Sequence, residues 1–137
     1  MIEYFVFFGF VGVGLVVFII HLHKPKLNPF VADPERAKLE SPIERILYDR
    51  LKANGEYLKT QVPCGKYRID IALPAYHIAI ECDGGAFHDS KEQMIHDSQK
   101  NSYLKRNGWK VLRFPGKRIY RDMRGIIAII DKEKSTG

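Results

Sequence analysis

Asp70, Glu81 and Asp83 are the residues whose types and spacing could do chemistry. Glu81 and Asp83 stand two apart in Ile78-Ala79-Ile80-Glu81-Cys82-Asp83, a run that reads as a strand, so their side chains share one face. Lys66 to Leu73 reads as the preceding strand of a hairpin, with Pro74-Ala75-Tyr76 as its turn. With that turn Leu73 pairs with His77, Asp70 lies opposite Ile80, and Asp70 converges with Glu81 at one end of the sheet. Three carboxylates gathered there repel one another unless a cation sits among them. Oxygen donors without a Cys/His set favour Mg²⁺ or Mn²⁺ over zinc. The plainer alternative makes the aspartates turn markers and Glu81 an edge charge. Against it stands the place of Glu81 in an apolar strand, where an unpaired charge is costly. The Cys82 side chain points to the core, and its backbone carbonyl, between two acids, is a further candidate metal donor.

Other residues carry two readings each. Glu44 either closes a capping box with Ser41 or reaches a metal, and both can hold. Gln61 and Lys66 either line the cleft or are solvated. His88 follows Gly84-Gly85 and either serves as general acid or base, or is a plain loop residue. Asp97 and Lys100 are either a simple i,i+3 pair or part of the site. From Lys100 to Arg124 there are nine basic residues against one acid, Asp122, with Trp109, Phe114 and Tyr120 interleaved. Such a surface suits a polyanion, and Lys105, Arg106 and Arg113 are its candidate strand-holding residues. Anionic lipid is the rival partner, but it leaves the three carboxylates without a role. An acidic metal cleft beside a basic rim is what phosphodiester hydrolysis needs.

These side chains must be positioned by a small set of elements. Ser41-Pro42-Ile43-Glu44 is a helix start, and Asn54-Gly55 its stop. A strand over 57–62, the hairpin 66–83, a helix over 91–106, a strand over 109–114 and a helix over 117–131 follow. The order α-β-β-β-α-β-α implies an α/β sandwich with a mixed sheet. The helix 91–106 lacks an apolar stripe in its middle, so one of its faces is expected to look into a polar cleft.

The chain has 137 residues and a net charge of +6, with no Lys or Arg among the first 23. Two cysteines, Cys64 and Cys82, exclude a disulfide framework and a zinc-finger set, and suit a reducing compartment. Tyr4 to Leu22 is an uncharged run of 19 residues, about 28 Å as a helix, which predicts one transmembrane helix within an anchor at 1–23. Lys24 and Lys26 after it place the body in the cytoplasm and the N-terminus outside. Residues 24–40, with Pro25, Pro29 and Pro34, read as a linker, and 41–134 as the globular domain.

The stretch SPIERILYDRL, QVPCGKYRIDIAL, IAIECDGGAFH, a D-x-x-K-x-x-x-L helix and GWKVLRF resembles the endonuclease-like domains related to the very-short-patch-repair endonucleases, within the PD-(D/E)XK nuclease superfamily. The resemblance covers about 41–130 and implies a restriction-endonuclease-like core. It matches Asp70 and Glu81 to the superfamily's metal-binding acids, and Glu44, Gln61, His88, Asp97 and Lys100 to positions of this branch. Asp83 stands where the superfamily's lysine would be. A metal-activated water, His88 or Lys100 must then take over that lysine's work, or the domain binds without cutting. The expectation is a membrane-anchored, Mg²⁺-dependent endonuclease acting on DNA at the cytoplasmic face. Asp70, Glu81, the Cys82 carbonyl and Asp83 would hold metal, with Glu44, His88 and Lys100 assisting. Partners would be DNA, a lipid bilayer through 4–22, and other membrane or DNA-processing proteins. The alternative is a degenerate DNA-binding or membrane-scaffold module on the same fold.

Overall fold

The structure is a computed structural model that describes residues 4, 13–16, 18, 32–84 and 90–136. The chain forms two compact units, 1–31 and 32–137. In the first, Tyr4, Val13 to Val16 and Phe18 are helical and exposed. The run expected to span a membrane lies mostly outside the described residues. Among those described, no helix is long and apolar enough to cross one.

The second unit starts nine residues before the expected domain boundary. Asp33 caps a short helix, α1 (Pro34–Ala37), accepting from the Glu35 and Arg36 N–H groups, with Pro34 at the first position. Proline there starts a helix rather than blocking one. Helix α1 is tied down by side chains. The Tyr48 hydroxyl donates to Asp33 at 2.7 Å. The Thr60 N–H donates to the Glu35 carboxylate at 2.7 Å, and Arg36 donates to Asp49 at 2.7 Å. Leu39 is buried in the core just beyond.

Helix α2 (Pro42–Ala53) starts as its sequence dictates, with Ser41 as cap and Pro42 first. Strands β1 (Lys59–Cys64), β2 (Tyr67–Leu73), β3 (Ile78–Asp83) and β4 (Lys110–Pro115) form one sheet in the order β1-β2-β3-β4. The first three are antiparallel, and β4 runs parallel to β3 after a crossover through helix α3 (Lys91–Arg106). Helices α4 (Gly116–Arg121) and α5 (Met123–Ser135) close the unit. The expected mixed-sheet α/β sandwich is what forms.

Three details differ from expectation. The hairpin register is shifted by one: Leu73 pairs with Ile78, Ala72 with Ala79 and Ile71 with Ile80. The reason is His77, which takes a left-handed conformation (φ 49°, ψ 40°) to close a 3₁₀ turn over Pro74–Tyr76 and so leaves the ladder. Continued, this register sets Asp70 opposite Glu81 rather than Ile80. The last helix is broken into two at Asp122. Asp122 leaves helical geometry and caps α5, accepting from the Gly125 N–H at 2.9 Å. A Cβ at residue 125 would overlap that carboxylate. Lastly, Gln61 sits at φ 49°, and the β1–β2 pairs flank it as Thr60↔Ile71 and Val62↔Ile69. The strand's alternation breaks there. Ile71 and Leu73 join the core under α2, α4 and α5, whereas Ile69 joins the smaller cluster with Ala79 and Leu104.

Asp33→Ala removes both the α1 cap and the Tyr48 partner. It is expected to lower stability by about 1–2 kcal/mol in urea unfolding, and to speed proteolysis within 32–40. An unchanged midpoint and cleavage pattern would show that α1 is not held by Asp33.

Candidate functional site

The site lies where β2, β3, β4 and α3 meet. Glu81 is 3% exposed, on the face of β3 that looks toward α3. Its Oε2 accepts from the Lys100 ammonium, while its Oε1 is buried with no partner among the described residues. Burial first, and the Asp70 charge second, push the Glu81 carboxyl up to about 7 against the opposing pull of Lys100. Asp70 is also raised, chiefly by burial, though its Oδ2 accepts from the Cys82 N–H at 2.9 Å. The β2–β3 pairing thus brings together the two acids that the sequence placed there.

Asp83 is held elsewhere. Its Oδ1 accepts from Arg113 at 2.6 Å. The same guanidinium lies 3.6 Å from Asp97 and donates to Asn101 at 3.0 Å. Arg113 therefore neutralises two carboxylates and ties β3, β4 and α3 together. Half-buried and engaged, it is not the free cation of a binding rim. Asp97 and Lys100 do not pair with each other along the helix; each takes a partner on the sheet.

Glu44 closes the capping box of α2. It is 7% exposed; its Oε1 accepts from the Ser41 hydroxyl at 2.6 Å, and its Oε2 from the Glu40 N–H at 3.0 Å and Gln61 Nε2 at 3.4 Å. Its charge also raises the pKa of Asp70, so the cap lies within electrostatic reach of the site. Cys82 packs against the larger core, and burial pushes its thiol up strongly. His88 lies outside the described residues. Lys105 is exposed near the end of α3.

A cleft of about 230 Å³ opens over Asp70 and Lys100, lined also by Glu40, Gln61, Lys66, Tyr67, Arg68 and His96. Tyr67, Arg68 and His96 are not among the residues that the sequence marked. Arg68 was legible, because it precedes Asp70 by two in a strand and so shares its face.

Among the described residues, no group of three or more His, Cys, Asp or Glu side chains is set to hold a metal ion. The pair Asp70 and Glu81 still fits a hard cation. The orphaned Glu81 Oε1 is a buried acceptor that lacks a donor or cation. Mg²⁺ is commonly held by one or two carboxylates, with water and substrate phosphate completing its shell.

The model of the REase_MTES_1575 family, which is restriction-endonuclease-like, matches residues 43–133. The chain belongs to this family. The matched region holds Glu44, Asp70, Glu81, Asp83 and Lys100, and it ends within α5. The catalytic domain of the homing endonuclease I-Bth0305I shares the fold, with a TM-score of 0.59 at 21% identity over 71% of this chain and 97% of that one. The Escherichia coli K12 protein YcjD, described as uncharacterized, is 39% identical over 56 residues, which are 41% of this chain and 45% of YcjD. The match thus spans less than half the length of that relative.

The raised Glu81 pKa makes a linkage prediction. Folded Glu81 holds its proton up to about pH 7, while the unfolded group loses it near 4.5. Its contribution to stability is therefore full below about pH 4.5 and is lost as pH rises through 7. Urea unfolding from pH 5 to 8 is expected to show wild type losing stability relative to Glu81→Gln. Parallel pH curves for the two proteins would contradict it.

Proposed function

We propose that this protein is a Mg²⁺-dependent endonuclease that hydrolyses phosphodiester bonds of DNA. The observation that carries this reading is the buried Asp70–Glu81 pair with Lys100 delivered onto it from α3. Membership of a restriction-endonuclease-like family and the fold shared with a homing endonuclease support it.

Asp70 and Glu81 would hold the cation, with the Cys82 carbonyl as a further donor. Bound there, Mg²⁺ would supply Lewis-acid polarisation of the phosphate and a lowered pKa for attacking water. The chain's own groups do the rest. Lys100 approaches the buried carboxylate from α3, where the superfamily's lysine would otherwise come from the position of Asp83. Its ammonium is suited to stabilise charge that develops on the phosphate oxygens. Glu44 holds Gln61 and the Glu40 backbone at the cleft wall. His88 follows β3 by five residues and would carry a proton to or from the reacting oxygens. Asp83 acts through Arg113, which fixes α3 and with it Lys100. The anchor at 4–22 and a cytoplasmic body rest on the uncharged run and the lysines after it.

The Lys100–Glu81 ion pair also favours a second reading, a nucleic-acid-binding module that does not cut, because a cation must compete with it. A cleavage assay separates the two. The full-length chain is incubated with plasmid, linear duplex and single strands in Mg²⁺, Mn²⁺ or EDTA. Metal-dependent cleavage is expected to fall about 100-fold or more in Asp70→Asn and in Glu81→Gln. Lys100→Ala should lose a similar factor while keeping metal-dependent thermal stabilisation. A folded protein that binds DNA but cuts none of these substrates would favour the second reading.

A further inference from the structure

Helix α3 presents a polar stripe that continues past the carboxylate site. His96, Gln99, Tyr103 and Arg106 follow one another at three- and four-residue steps, on one face of the helix. Beyond the cleft over Asp70 lies a second cleft, of about 350 Å³, lined by Lys66, Ser98, Gln99, Ser102 and Arg106, with Tyr67 and Tyr103 between. Lys66 and Tyr67 line both clefts, so the two form one groove.

The wall between them is built rather than incidental. The Tyr67 ring meets His96 edge-on at 5.8 Å and Tyr103 at 5.4 Å. Tyr103 reaches across to the β1–β2 turn, where Gly65 takes φ 58° and a Cβ would overlap the Tyr103 hydroxyl. Lys66 stands 5.2 Å above the Tyr67 ring.

The charges in the groove are unequal in their freedom. Lys100 is paired with Glu81, and Arg68 with Glu40 at 2.9 Å. Among the described residues, Lys66 and Arg106 have no acidic partner and face open space lined by hydroxyls and an amide. Such a lining offers donors to an anion and no competing carboxylate. From His96 to Arg106 the helix rises about 15 Å, comparable to roughly four stacked nucleotides along one strand.

We propose that this second cleft is a phosphate-binding subsite, in which Lys66 and Arg106 hold the backbone of a polynucleotide strand on one side of the cleavage point. The proposal rests on the nuclease reading for its substrate class. Arg106, Ser98, Gln99 and Ser102 line the second cleft and not the one over Asp70, whereas Lys66 borders both.

The test is fluorescence anisotropy with the full-length chain and a labelled 12-nucleotide single strand in EDTA, over a range of salt. Lys66→Ala with Arg106→Ala is compared with Arg124→Ala with Lys132→Ala, which removes equal charge at exposed positions outside both clefts. The groove pair is expected to weaken binding about tenfold more than the control pair. It should also flatten the salt dependence by about 0.7 in log–log slope for each phosphate that is no longer neutralised. Hydrolysis of bis(p-nitrophenyl) phosphate in Mn²⁺, too small to reach the second cleft, should be unchanged in Arg106→Ala, whose side chain lines the second cleft and not the first. Equal weakening by the two pairs, or no strand binding by wild type, overturns the subsite. Absent hydrolysis of the small ester with the groove effect intact overturns the nuclease reading instead and leaves the subsite standing.

Discussion

The ion pair between Glu81 and Lys100 is the constraint around which the rest of this unit is arranged. A carboxylate on a strand with 3% exposure is tolerable only if protonated or matched by a cation. Here the match comes from a helix rather than from the sheet, so α3 must lie against β3 at one setting. Little apolar surface enforces that setting, since Leu104 is the one buried residue among those of α3. Burying one leucine contributes about 2–3 kcal/mol, so polar contacts must supply much of the positioning. Lys100 on Glu81, Arg113 on Asp83 and Asn101, and Tyr103 on Gly65 are those contacts. The helix is thus held largely by groups that belong to, or border, the site.

Charge is distributed in the same manner. The face of β3 carries two acids, and each meets its own cation from a different element. Asp70 instead leans on a backbone donor, the Cys82 N–H, and stays raised by burial. That leaves one buried carboxylate oxygen, on Glu81, without a partner among the described residues. A protein interior rarely keeps such an atom without use for it. Arg113 holds its guanidinium against Asp83 from β4, and its buried Nε is likewise unpartnered among the described residues.

Most of this architecture was legible because local chemistry and fold agree. Ser41-Pro42-x-Glu44, the apolar runs of the hairpin and Asn107-Gly108 each specify one element with little ambiguity. The weak apolar pattern of α3 correctly announced a helix facing a polar cleft. What stayed hidden depended on contacts across the fold. The destination of Lys100 and Arg113 is set by strand register, which no local rule fixes. The register itself turned on His77 in a left-handed conformation, which a Pro-Ala-Tyr turn does not announce. Asp33-Pro34 was a helix start hidden among prolines that read as linker punctuation. Asp122 and Gly125 split the last helix through a cap inside an otherwise continuous apolar period.

The docking of α1 has a mechanical consequence. The uncharged N-terminal run and the nuclease-like core share one covalent path, and it passes through residues 32–41. Tension along that path would meet the bonds of Asp33 to Tyr48 and Glu35 to Thr60 before it reached Ser41 and Glu44. Those bonds end on α2 and on the edge strand β1, away from β3 and Lys100. Helix α1 is therefore the first element of this unit that a load from the N-terminal side would meet, and its side-chain ties end on elements other than β3 and α3.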